Sequence, residues 1–220
     1  MTDFIVHTIP GSPFARAVMA TLEEKGARWR IAPMSPGMTK IEPHISRHPF
    51  GRMPAVEHGD FMLYETQAIL RYIDRVLPHP ALTPTDPRAA FRMDQVLNIA
   101  DWYLFQGVGS VIGFQRVVGP ALLGITPDEE ACAAAMPKGH QVFGELSRLL
   151  GDNAFFAGDK LSLADILLAS QVDFLTAAPE WAPLTEGRAN LIRWMDRMNA
   201  RPSMQATTWE RVTALAKAAA

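Results

Sequence analysis

The sequence predicts a chain of the α/β + all-α class: an N-terminal β-α-β-β-α unit over residues 1–77, then an all-helical unit over residues 87–220. Three observations carry this. Up to residue 76, short apolar runs alternate with stretches of helical periodicity. Residues 77–87 hold four prolines in eleven positions, so 78–86 reads as a linker rather than a continued helix. Beyond it the apolar residues recur at helical spacing.

In chain order, Phe4–Thr8 is a short apolar strand ended by Ile9-Pro10-Gly11. Ser12-Pro13 then opens a helix, with a hydroxyl at the N-cap and proline at the first helical position. Phe14, Ala17, Val18, Thr21 and Leu22 give that helix its buried face and Gly26 ends it. Trp29–Ala32 is the next strand, and a strand-helix-strand order of this length implies a parallel crossover. Residues 33–49 read as loop with a short helix near Glu42 to Ser46. Ala55–His58 and Phe61–Tyr64 form a hairpin around Gly59-Asp60, and a helix with Ile69, Tyr72, Ile73 and Val76 on one face follows. This order is thioredoxin-like.

In the second half, Asp86-Pro87 caps a long helix striped by Val96, Leu97, Ala100, Leu104, Val108 and Val111. Gly107, Gly109 and Gly113 predict a kink or a close approach near them. Thr126–Glu129 reads as a capping box for a helix that Pro137 should kink or divide, and Ser162–Asp165 as a second box, with Leu161 and Ile166 as a hydrophobic staple. The helix after that box is apolar on nearly every side and should be the buried centre of its unit. Two further helices, about 184–199 and 203–218, complete the chain.

The stretch around which a ligand site can be built is Phe50–Gln67. Pro54 cannot donate to the sheet, so the backbone of Met53 is left to pair with an extended, peptide-like ligand. The helix start at Glu65-Thr66 offers N–H groups, a positive dipole end and the Thr66 hydroxyl to a carboxylate, while Glu65 suits an ammonium. The same residues also fit a plain strand stop and a helix N-cap.

Composition narrows the field. Hydrophobic residues make up 48% and charged residues 20% of the 220, an ordinary globular balance. A net charge of −2 with no dense Lys/Arg run argues against a nucleic-acid partner. No apolar run reaches membrane-spanning length and residues 1–10 lack a signal-peptide core, so a cytoplasmic location and no membrane partner are expected. With Cys132 as the single cysteine, disulfides, thiolate metal clusters and a CxxC redox pair are excluded, and any thiol chemistry must use a thiol brought by the substrate. The six histidines show no metal-ligand spacing and are read as structural or surface; no metal is expected.

A thioredoxin-like half without CxxC, a proline linker and a helical half with a Ser-Leu-Ala-Asp box together resemble the cytosolic glutathione S-transferases, over essentially the whole chain. The most specific pieces are Ser12-Pro-Phe-Ala-Arg16, Leu22–Gly26, Ser46–Pro54, Tyr64-Glu-Thr66 and Gly158–Asp165. The resemblance is to the serine-type classes, with the phi class nearest around Ser46–Pro54. It implies glutathione as co-substrate and Ser12 as the catalytic hydroxyl. Thr39 and Lys40 would sit at the glycyl carboxylate, Arg52 and the backbone of Met53, held by a cis Met53-Pro54 bond, at the cysteinyl part, and Glu65 with Thr66 at the γ-glutamyl end. Thr66 departs from the usual serine but keeps the hydroxyl; Arg52 stands where that class commonly has glutamine.

A hydrophobic second substrate is expected between the halves, near Phe14 and the candidates Tyr103, Gln106, Ser110 and Phe114, which equally fit plain core or interface. Ser12 also fits a simple N-cap, and Arg16 either orients the site or is solvated. Phe50, on the loop before Met53-Pro54, matches the aromatic key some members insert into a partner subunit, so a homodimer is expected. The resemblance implies conjugation of glutathione to hydrophobic electrophiles, a detoxification role. Peroxide reduction, dehalogenation, ether cleavage or isomerisation on the same thiolate stay open, as does a non-catalytic binding or regulatory protein with this fold.

Overall fold

A computed structural model describes residues 3–219; residues 1, 2 and 220 of the expected unit ranges lie outside it. Strand β1 (Phe4–Thr8) is followed by α1 (Pro13–Glu24), β2 (Trp29–Pro33), a 3-10 turn at Met38–Lys40 and the short helix α2 (His44–Arg47). The hairpin β3 (Ala55–His58) and β4 (Phe61–Leu63) then leads into α3 (Thr66–Val76). The sheet order is β2-β1-β3-β4. β1 runs parallel to β2 and antiparallel to β3, with Val6 opposite both Ile31 and Val56. Both faces of β1 are covered, so the strand is apolar without alternation, and Val6 and Val56 are fully buried. The expected α/β + all-α class and thioredoxin-like order are those of the structure.

The chain divides into two compact units, Met1–Leu82 with Ala200–Ala220, and Thr83–Asn199. The first therefore ends later than the expected 77 and regains residues 200–220, which the sequence places in the helical half. Physical ties account for both differences. Lys25, buried in its unit, donates to Asp74 Oδ1 and to the Pro80 carbonyl, and Leu82 N donates to the same Asp74 oxygen at 2.9 Å. Half the proline-rich segment is thus fastened to α1 and α3. After residue 199 the chain returns as α10 (Pro202–Ala206), packed on α1, and α11 (Trp209–Ala219), packed on β2.

In the second unit, α4 (Pro87–Ile99) runs into a widened helical segment, Ala100–Val118, followed by α5 (Gly119–Leu123), α6 (Glu129–Leu150), α7 (Leu163–Thr176), α8 (Trp181–Thr185) and α9 (Ala189–Asn199). Among the described residues no helix is long and apolar enough to cross a membrane. The glycine-rich segment breaks at Gln106-Gly107, where Gly107 takes φ +99°, so the expected kink is present. The N-cap of α6 is Asp128, accepting from Ala131 N at 2.9 Å, rather than Thr126. Pro137 does not divide α6: it lies on the exposed face, four residues after the equally exposed Ala133, whose carbonyl loses its donor where water can replace it.

α7 is the buried centre, as its apolar sequence implies. Its capping box is present, with Asp165 Oδ2 accepting from Ser162 N at 3.0 Å, and the same oxygen also accepts from Ser162 Oγ at 2.6 Å. The other carboxylate oxygen accepts from Phe156 N at 2.9 Å and Trp194 Nε1 at 3.0 Å. Burial pushes the Asp165 carboxyl pKa up against these four donors.

Candidate active site

Ser12, Thr39, Lys40, Phe50, Arg52, Met53, Pro54, Glu65 and Thr66 all fall in the first unit, and a series of contacts gathers them. Ser12 is the N-cap of α1, its Oγ accepting from Ala15 N at 3.3 Å. A hydroxyl has two acceptor sites and one proton, so the cap uses a lone pair and leaves the proton for donation. Ser12 is thus an N-cap, and that role is compatible with a catalytic one.

The turn that delivers Ser12 meets Met53. Ile9 N and Thr8 Oγ1 lie 3.5 and 3.6 Å from the Met53 sulfur. The Met53-Pro54 peptide is cis, and Pro54 is buried at the start of β3. Upstream, the Arg52 carbonyl accepts from His44 Nε2 at 2.7 Å. Gly51 takes φ +59°, and a Cβ there would stand 2.9 Å from the Thr39 carbonyl oxygen and 3.3 Å from Lys40 Cγ. Glycine at 51 is what lets the 38–40 turn lie against the loop ahead of Met53.

The loop also reaches the start of α3. The His48 ring packs 5.1 Å from that of Tyr64 and 6.2 Å from that of Phe50, while Phe50 itself is 68% exposed. Burial holds the His48 pKa below the usual histidine range. Glu65, not Thr66, occupies the N-cap of α3, at φ +68°, and its side chain makes no capping bond. A non-glycine residue in that region costs on the order of 1–3 kcal/mol and is held there by its surroundings. Thr66 becomes the first helical residue, buried at the helix end. The first-turn N–H groups have no intrahelical acceptor, so this end of α3 presents donors and a positive dipole beside the Glu65 carboxylate. That combination can take an ammonium and a carboxylate on adjacent atoms, as on an amino-acid end.

Phe14 is on α1, while Tyr103, Gln106, Ser110 and Phe114 lie on the Ala100–Val118 segment of the second unit, all four exposed there. The break at 106–107 fixes two of them: the Gln106 carbonyl accepts from Lys138 Nζ, and Ser110 Oγ accepts from Gly107 N at 3.3 Å.

Sequence reasoning gave His44 no place in the site; its i, i+4 spacing to His48, the residue just after α2, is a signal only once both are known to be buried. Arg16 is not solvated. It is buried, and its Nη2 donates to the Met204 carbonyl at 3.2 Å. Trp209, which packs on Gly11, has no sequence signal at all.

Models of the glutathione S-transferase N-terminal and C-terminal domains match residues 2–75 and 91–202. A glutathione S-transferase of Hyoscyamus muticus is 31% identical over 202 residues, 90% of this chain and 94% of its own. The probable glutathione S-transferase GSTF2 of Oryza sativa subsp. japonica is 30% identical over 189 residues, 85% and 87% of the two chains. Among solved structures, glutathione S-transferase III in apo form has a TM-score of 0.82 at 30% identity, covering 93% of this chain and 95% of its own. Glutathione S-transferase-I bound with lactoylglutathione has a TM-score of 0.82 at 27% identity, with 96% and 99% covered. Both domain models match in order along one chain, and the similarity to whole transferases extends over nearly its full length: this chain belongs to the glutathione S-transferase family.

Proposed function

We propose that the chain is a transferase that conjugates the thiolate of glutathione to hydrophobic electrophiles, with Ser12 as the thiol's activator. The observation that carries this is the Ser12 hydroxyl at the N-terminus of α1, accepting from Ala15 N and keeping its own proton to donate. A free thiol of pKa about 8.5 is only a few per cent thiolate at pH 7. Lowering it by about two units, ~2.7 kcal/mol, makes it mostly thiolate, and one donated hydrogen bond plus the helix dipole are of that order.

The peptide-like ligand is read onto the loop and helix end in order. Lys40, with Thr39, takes the glycyl carboxylate; Arg52 and the Met53 backbone take the cysteinyl part; Glu65 and Thr66, with the first turn of α3, take the γ-glutamyl ammonium and carboxylate. The sulfur's electron pair then forms the carbon–sulfur bond. In substitution the leaving group departs with its own bonding pair; in addition the displaced π electrons settle on the acceptor, which takes a proton. Phe14, Tyr103, Gln106, Ser110 and Phe114 are proposed to receive the electrophile. A cytoplasmic detoxification role and a homodimer keyed by the exposed Phe50 complete the reading; a monomer by light scattering at micromolar concentration, unchanged by Phe50→Ala, would remove the key.

The test is the ultraviolet thiolate absorbance of glutathione titrated onto the protein across about pH 5 to 9, beside Ser12→Ala. A thiolate appearing well below the free pKa in the wild type and lost in the variant is the expected result. No bound thiolate at all would overturn the reading in favour of a binding protein.

A further inference from the structure

The residue before Ser12 is the most permissive kind the chain can place there. Gly11 takes φ +96°, a left-handed value that other residues rarely adopt, and glycine samples many conformations at little cost. A hydroxyl that must point at one sulfur atom cannot hang from a loose peptide, so something has to remove that freedom.

The C-terminal segment supplies it. A Cβ on Gly11 would stand 2.9, 3.0 and 3.2 Å from Cε2, Cζ2 and Cδ2 of the Trp209 indole, so the ring occupies the space directly against the Gly11 backbone. Trp209 is the first residue of α11, which packs on β2, the strand next to β1. Its approach is anchored just upstream. Arg201 forks onto Glu24, with Nε and Nη2 each 2.7 Å from a carboxylate oxygen; Ser203 Oγ donates to the same carboxylate at 2.5 Å; and Arg16 holds the Met204 carbonyl. All three partners on the N-terminal side, Gly11, Arg16 and Glu24, belong to α1 or the turn that opens it. The turn has a second support at Met53, whose sulfur receives Ile9 N.

We infer that Trp209 is a positioning residue for the transferase reaction: its indole walls the Gly11 backbone and so fixes the Gly11-Ser12 peptide and the direction of the Ser12 hydroxyl. The inference rests on the reading of Ser12 as thiol activator. It makes a segment almost two hundred residues downstream part of the thiol-activating apparatus, although Trp209 acts only through Gly11.

The experiment measures the pKa of the bound glutathione thiol by ultraviolet absorbance, with kcat and KM for glutathione, in wild type, Trp209→Ala, Trp209→Phe and Ser12→Ala. Trp209→Ala is expected to raise the bound-thiol pKa by about one unit and lower kcat about fivefold, with KM changed by under about threefold. Trp209→Phe, which keeps an aromatic wall, should recover most of both. Wild-type thiol pKa in Trp209→Ala overturns the inference whatever happens to stability, as does a Phe variant no better than Ala. If the Ala variant does not fold, Trp209→Leu is judged by the same thiol pKa. Ser12→Ala separates the two levels: if it leaves the bound-thiol pKa unchanged, the Ser12 reading itself falls, whereas a raised value there with none at Trp209→Ala removes only the positioning role.

Discussion

The Arg52 carbonyl oxygen accepts a hydrogen bond from His44 Nε2 at 2.7 Å, and because a carbonyl can only accept, this assigns the ring proton to Nε2. His44 is 1% exposed, and its Nδ1 is buried without a hydrogen-bond partner among the described residues. The bond ties α2 to the loop that precedes Met53-Pro54, and with it the backbone proposed to pair with glutathione. His44→Phe keeps the ring volume but removes the donor, at a cost of about 1 kcal/mol in holding that loop. The expected result is a KM for glutathione raised about fivefold with kcat changed by under about twofold, read by steady-state kinetics. A fall in kcat at unchanged KM would mean that His44 serves the chemistry instead.

Glu24 gives a pH dependence whose sign follows from its partners. Burial alone would raise its carboxyl pKa, but hydrogen bonds from Arg201 and Ser203 outweigh this and hold it below the ordinary value of 4.5. A depressed folded-state pKa contributes stability that is fully present above 4.5 and lost as pH falls through the folded value. Glu24→Gln should therefore be less stable than wild type by about 1–2 kcal/mol at neutral pH, with the gap closing in acid. Urea midpoints of both proteins at several pH values measure it; a gap independent of pH would assign the loss to packing.

Asp165 satisfies four buried donors at once, from Ser162 N and Oγ, Phe156 N and Trp194 Nε1. Asp165→Ala strands those donors in the centre of the second unit and should cost about 3–5 kcal/mol, among the largest single losses in the chain. The check is denaturant unfolding of the variant, and a loss below about 1 kcal/mol would show that the surroundings rearrange to supply other acceptors.

Pro137 is a defect that α6 carries on its wet face. Since the helix already runs unbroken through it, Pro137→Ala restores the donor to the Ala133 carbonyl without rebuilding the backbone. A gain of about 2 kcal/mol is expected, seen as a raised thermal midpoint. If the midpoint falls, the proline ring itself must be packing against something that alanine cannot replace.

Several elements were legible because each is decided by near neighbours in the chain. The Ser12-Pro13 helix start, the Gly59-Asp60 hairpin and the Ser162–Asp165 box all occur as their residues imply. Local signals failed where two acceptable caps competed, as at Thr126 and Asp128, and at Thr66, where a strained Glu65 took the N-cap position instead. The compact units divide the chain differently from the expected ranges at both ends because what decides them is tertiary. Lys25, Asp74 and Leu82 hold the proline segment, and Glu24 with Arg201 brings the C-terminus back.

By itself the sequence determined the order of elements in the first 76 residues, the loop and helix start around Met53 and Thr66, and Ser12 at the N-terminus of α1, while it merged the last four helices, α8 to α11, into two. These depend on turn chemistry, capping and periodicity, which act over a few residues. Only the tertiary structure decided that His44 supports Arg52, that Gly51 admits the Thr39-Lys40 turn and that Trp209 walls Gly11. Such contacts join residues from eight to almost two hundred positions apart, and no local preference encodes them: they exist because the sheet and helices, once packed, leave particular backbone atoms facing particular side chains.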